Sequence, residues 1–105
     1  MKREFVEAWL KGREPGRPAQ LLAQMSRNVS SCPPDVLEEV DSMATALGLL
    51  GLRTLANVSD AESGGDAVAL ELLAADAFVT YAFEAAAEEG MAVAPFVSWL
   101  VREAA

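Results

Sequence analysis

Between Pro34 and Glu89 the apolar residues of this chain recur with one helical period in two separate runs. Val36, Val40, Met43, Leu47 and Leu50 step by 4, 3, 4 and 3 residues; Val68, Leu72, Ala75, Val79, Ala82 and Ala86 step by 4, 3, 4, 3 and 4. Such spacing keeps side chains on one face at about 100° per residue, so each run is expected to be a long helix, over residues 35–58 and 66–89. An acidic turn containing Gly64 and Gly65 joins them, which makes the two an antiparallel pair. From residue 44 to residue 52 the only polar side chain is Thr45, the mark of a helix buried on most sides. Gly48 and Gly51 fall inside it, where each costs about 1 kcal/mol relative to Ala. They are expected where another helix crosses closely, or where the helix kinks.

The flanks read as shorter helices. Phe5, Val6, Trp9 and Leu10 share one face of a first helix over residues 2–11, which Gly12 ends. Pro15 and Gly16 mark a turn, and Pro18 opens a second helix to about residue 27, with Leu21, Leu22 and Met25 inward. Pro33 and Pro34 interrupt the chain, and Asp35 followed by Glu38 has the form of a capping box for the long helix. Gly90 ends the other long helix, and Pro95 opens a last one to about residue 102, with Phe96, Trp99 and Leu100 inward. No segment sustains the alternation of a strand. The expectation is one all-α domain over residues 1–105, a bundle of four to five helices around the long pair.

Charge is unevenly placed. Of the net −8, residues 1–30 contribute +3 and residues 31–105 contribute −11. The acidic body argues against nucleic-acid binding, which needs clustered Lys and Arg. The basic N-terminal arm is expected to pack on the acidic body, its own or a neighbour's. The lone Cys32 permits no internal disulfide, and with no recognisable signal peptide a cytoplasmic location is expected. The apolar run is too short for the ~20 residues of a bilayer span, so no membrane association is expected.

The sequence has no histidine. Ser–His and Cys–His catalysis and His-ligated metal sites are thereby excluded within one chain, and a non-enzymatic role is expected. Cys32 lies near an expected helix N-terminus, a position that lowers a thiol pKa, but it has no imidazole partner and reads as structural. The turn after residue 59 resembles an EF-hand loop in outline. Asp60, Glu62 and Glu71 stand at loop positions 1, 3 and 12, Gly65 at position 6, and Asp66 beside it. Against calcium, position 5 is Gly64 and position 8 is Ala67. The competing reading is a plain acidic turn whose Ser59 or Asp66 caps the following helix.

Residues 74–84, Ala-Ala-Asp-Ala-Phe-Val-Thr-Tyr-Ala-Phe-Glu, resemble the trans-isoprenyl diphosphate synthase helix that reads Ala-Gly-Asp-Ala-Leu-Leu-x-x-Ala-Phe-Glu. The family's glycine is Ala75 here, and its aspartate-rich magnesium and diphosphate motifs do not occur. The chain is far shorter than that all-helical enzyme, so the resemblance implies a helix and assigns no site. Leu70, Leu73, Ala77 and Tyr81 lie outside the main stripe of their helix. This surplus is expected to serve either as core or as an interface, with a homodimer or a basic protein as partner. The reading that follows is an interaction or regulatory module that self-associates; the alternative is a protein that holds calcium or a small apolar ligand between helices.

Overall fold

The computed structural model describes residues 1–13, 16–59 and 65–105, with Ser59 described by its backbone. Those residues form six helices and no strand: α1 (Arg3–Lys11), α2 (Ala19–Ser31), α3 (Pro34–Leu37), α4 (Met43–Ser59), α5 (Asp66–Glu88) and α6 (Val93–Ala104). The dominant interface joins α4 to α5, the expected central pair. Helices α1 and α2 cover one side of the pair and α6 crosses the other. The buried side chains form one cluster, with Phe78, Met25, Leu37, Leu47 and Leu50 at its centre.

Both interior glycines of α4 mark close crossings. A Cβ on Gly51 would stand 2.9 Å from Val79 Cγ2 and 3.2 Å from Phe78 Cβ, so bare backbone lets α5 approach there. One turn earlier, a Cβ on Gly48 would stand 3.0 Å from the ring of Trp99. That notch seats α6, whose Phe96 meets Phe83 edge-on at 5.3 Å. Close approach is therefore the reason for both glycines.

The expected helix over residues 35–58 is two helices. α3 ends after one turn, residues 38–41 are non-helical, and α4 begins at Met43. Asp35 and Glu38 form no capping box; Glu38 is the C-cap of α3. The working cap is Ser42, whose Oγ accepts the Thr45 N–H at 3.1 Å while its carbonyl accepts the Ala46 N–H at 3.1 Å. The two remaining donors of the first turn go to Glu89. Its carboxylate accepts from Met43 N at 3.1 Å and Ala44 N at 2.9 Å. Val36 and Val40 still pack against the core from the short helix and the linker.

Elsewhere the corrections are smaller. α2 runs to Ser31, which carries Val29 and Cys32 into the core. α6 begins at Val93, so Pro95 sits in its first turn, where its missing N–H costs nothing. Phe5, expected inward, is 59% exposed, because α1 turns Val6 and Leu10 to the core.

The basic arm packs on its own body. Arg13 pairs with Glu88 and lies 3.9 Å over the Trp9 ring. Arg17 Nε donates to the Tyr81 hydroxyl at 3.0 Å, and Arg3 donates to the carbonyls of Ser30 (2.7 Å) and Cys32 (3.2 Å) at the end of α2. The Met1 ammonium group donates to the Leu37 carbonyl at the end of α3. Cations at helix C-termini complement the negative end of the dipole.

Candidate interaction surface

The surplus apolar residues of α5 divide according to what covers the helix. α5 lies under α2, whose Gln24 meets Glu71, and toward its C-terminal end under α1. Tyr81 is buried there, with its ring edge-on to Trp9 at 5.7 Å, and Ala77 is buried one turn before it. Both belong to the core and leave the interface set expected from the sequence. Leu70 is half-buried against the core, whereas Leu73 is 55% exposed. Leu73 and Tyr81 therefore do not share one exposed strip.

Leu72 was expected on the buried stripe of α5, yet it is 50% exposed. With 23 residues, α5 is about 34 Å long, and the 12-residue α6 crosses it at Phe83. On the face that carries Leu72, the rows before that crossing have no helix above them among the described residues. What remains is an open groove of about 710 Å³ between α4 and α5, lined by Gly51, Leu55, Leu72, Leu73 and Val79. Asp76 is the one charged residue lining it among the described residues. On the other side of Leu73 a second, more polar groove runs between α2 and α5, with Arg27 and Asp66 on its walls. Leu73 thus stands as a ridge between two grooves. A separate apolar stripe, Val93, Val97 and Val101, lies exposed on α6.

The calcium candidates are placed apart from one another where they can be followed. Asp60 and Glu62 lie outside the described residues. Asp66 is exposed in the first turn of α5, whose N-cap is Gly65 at φ 106°, so Asp66 is not the cap, and the side chain of Ser59 lies outside the described residues. Glu71 points to α2 and accepts a hydrogen bond from Gln24 Nε2. That bond belongs to a chain across three helices. Gln24 also donates to Asn28 Oδ1 at 2.9 Å, Asn28 Nδ2 donates to Thr54 Oγ1 at 3.1 Å, and Thr54 donates back to the Leu50 carbonyl at 2.8 Å. Thr54, the one buried polar residue of the core among the described residues, is satisfied by these bonds. Among the described residues, no three acidic or cysteine side chains converge to hold a metal.

Cys32 is buried, with its Sγ 3.7 Å from the Pro33 carbonyl. Burial pushes the thiol pKa up, and the nearby Arg53 and Arg3 offset this only in part. The sequence placed this thiol near a helix N-terminus that would lower its pKa. In the structure desolvation wins, and the neutral thiol packs as a small apolar group. Among the described residues no helix is long and apolar enough to cross a membrane.

No family model matches the chain, and comparisons with characterised proteins and with solved structures find no match. The short stretch similar to an isoprenyl diphosphate synthase helix therefore carries no family with it.

Proposed function

We propose that this chain is a non-enzymatic helical interaction module that docks another protein surface along the α4/α5 groove and its leucine ridge. The observation that carries the reading is the adjacent pair Leu72 and Leu73, each at least half exposed on the rim of an apolar groove. Burying one leucine side chain contributes about 1.5–3 kcal/mol, and a contiguous apolar surface of this kind is characteristic of a contact site. The sequence suggests two occupants, a second copy of the chain and a basic protein. Ridge-into-groove packing on Leu73 is compatible with either.

A small apolar ligand is the second reading, because the groove volume falls in the range of about 300–1,000 Å³ seen for ligand sites. An open groove beside two exposed leucines suits a helix better than an enclosed ligand. The test is light scattering coupled to size-exclusion chromatography at several concentrations. A dimer near 22 kDa, twice the 11.1 kDa chain, that Leu73→Asp dissociates would establish self-association through this ridge. A monomer that also binds no amphipathic helix would refute the module.

A further inference from the structure

We infer that the occupant of the α4/α5 groove is an amphipathic helix with a basic polar face, supplied by a different protein. This rests on the docking reading above and names the partner for that surface.

α6 shows how the α4/α5 pair seats a helix. α6 lies across α4 and α5 with Phe96 against Phe83 and Trp99 in the notch at Gly48. Gly51 is one helical turn further along α4 and lines the open groove with Val79 and Leu72. The open stretch therefore continues the seat of α6. α6 anchors itself with Phe96, Trp99 and Leu100, an i, i+3, i+4 pattern of large apolar side chains, which is how helices commonly fill a groove. The open groove, one turn further along α4, presents the same kind of surface, small residues at the floor and branched apolar residues on the walls.

Charge selects the partner. Arg3, Arg13 and Arg17 are engaged by atoms of α2 and α5 and do not line this groove, and Arg27, bonded to Gln24, lies across the Leu73 ridge on the wall of the second groove. On the groove side, Asp76 is the charged lining residue, and the polar stripe of α5 continues from it through Thr80 to the exposed Glu84. A helix flanked by Lys or Arg would meet these carboxylates with opposite charge, which favours encounter and register. A second copy would bring a further net charge of −8, and a two-fold pairing with antiparallel α5 helices would set Asp76 of each copy on the same side of the contact. Electrostatics therefore favours the hetero-partner over the homodimer.

The test uses the full chain carrying Trp9→Phe, which leaves Trp99, beside the groove, as the single indole. It is titrated with synthetic peptides of about fourteen residues, roughly four helical turns. One has a leucine face and a lysine face, one replaces lysine with glutamate, and one scrambles the lysine peptide so that no apolar face forms. The expected result is a saturable change in Trp99 emission with the lysine peptide and at least tenfold weaker binding of the other two. Leu72→Gln, at an exposed position that leaves the core intact, should weaken the lysine peptide at least tenfold. Asp76→Asn should weaken it a few-fold and flatten its salt dependence. Equal binding of the lysine and glutamate peptides, equal binding of the scrambled peptide, or indifference to Leu72→Gln overturns the inference. A dimer held through Leu73 that binds no peptide also overturns it and leaves the docking reading standing. A monomer that binds none of the peptides overturns both.

Discussion

The carboxylate of Glu89 closes the N-terminus of α4 from the far end of α5, accepting the Ala44 N–H at 2.9 Å across 45 residues of sequence. Its position is set by the helix end it belongs to. Gly90 adopts φ 71°, Met91 N donates to the Ala86 carbonyl at 2.9 Å, and Gly90 N donates to the Ala87 carbonyl at 3.2 Å. These two bonds are a Schellman motif, which fixes Glu89 at the α5 C-cap. One carboxylate thus satisfies two free donors of α4 and locks the antiparallel pair end to end. Negative charge at that helix N-terminus adds a favourable dipole contribution.

Replacing Glu89 should be felt at the opposite end of the sequence pair. Glu89→Ala is expected to destabilise the protein by about 1 kcal/mol, within the range of about 0.5–2 for lost N-caps. Glu89→Gln should retain part of that, since an amide oxygen still accepts one N–H. Gly90→Ala should cost about 1 kcal/mol through the positive φ alone. Urea unfolding of the three variants checks this. Hydrogen exchange should quicken at Met43 and Ala44 in Glu89→Ala, and unchanged exchange there would refute the cap.

Gly51 opposes helix propensity to packing. Alanine there gains about 1 kcal/mol in an isolated helix. In this bundle its Cβ would press on Val79 Cγ2, on a β-branched side chain with little rotamer freedom. Overpacking of this kind costs about 1–3 kcal/mol. Gly51→Ala should therefore be neutral to destabilising, and Gly51→Val destabilising by about 2 kcal/mol or more. Thermal unfolding of the pair tests the crossing. A stabilised Gly51→Ala would mean that α4 and α5 stand further apart.

How much of this was legible beforehand follows from where each signal resides. The pairing of α4 with α5 was legible because period and length are local properties of each run. The break at residues 38–41 was hidden because Val36, Val40 and Met43 keep helical spacing across a linker that is not helical. Ser42 carried the contrary signal, a capping residue three before Thr45, and it lay inside an apolar period that outweighed it. The groove was half legible. Leu73 stood out as surplus, but Ala77 and Tyr81 looked the same by period and differ only because α1 and α2 lie over them. Leu72 looked buried because its row continues into Val79 and Ala82. The reason for its exposure is length, and the expected equal runs over residues 35–58 and 66–89 hid it: α5 has 23 residues against 17 in α4 and 12 in α6, more apolar rows than its partners cover. The cap by Glu89 depends on tertiary placement, and no local pattern announces it.

Cys32 gives the bundle an alkaline weakness of definite sign. Burial holds the thiol neutral, so its pKa in the folded protein lies above the ordinary 9.0. The unfolded chain loses this proton first as pH rises, and from then on it is favoured over the folded state. The contribution of the buried thiol is thus fully present below about pH 9 and is lost as pH rises through the raised value. Urea unfolding of the wild type should show a fall in stability that sets in near pH 9 and that Cys32→Ala reduces. Cys32→Ala itself should cost about 1 kcal/mol at neutral pH, the loss of a small buried apolar group. The same burial predicts that a thiol reagent modifies the native protein only as fast as it opens, and at full rate in urea. Rapid labelling of the folded chain at neutral pH, or an alkaline slope identical in Cys32→Ala, would place the thiol in water and remove this account.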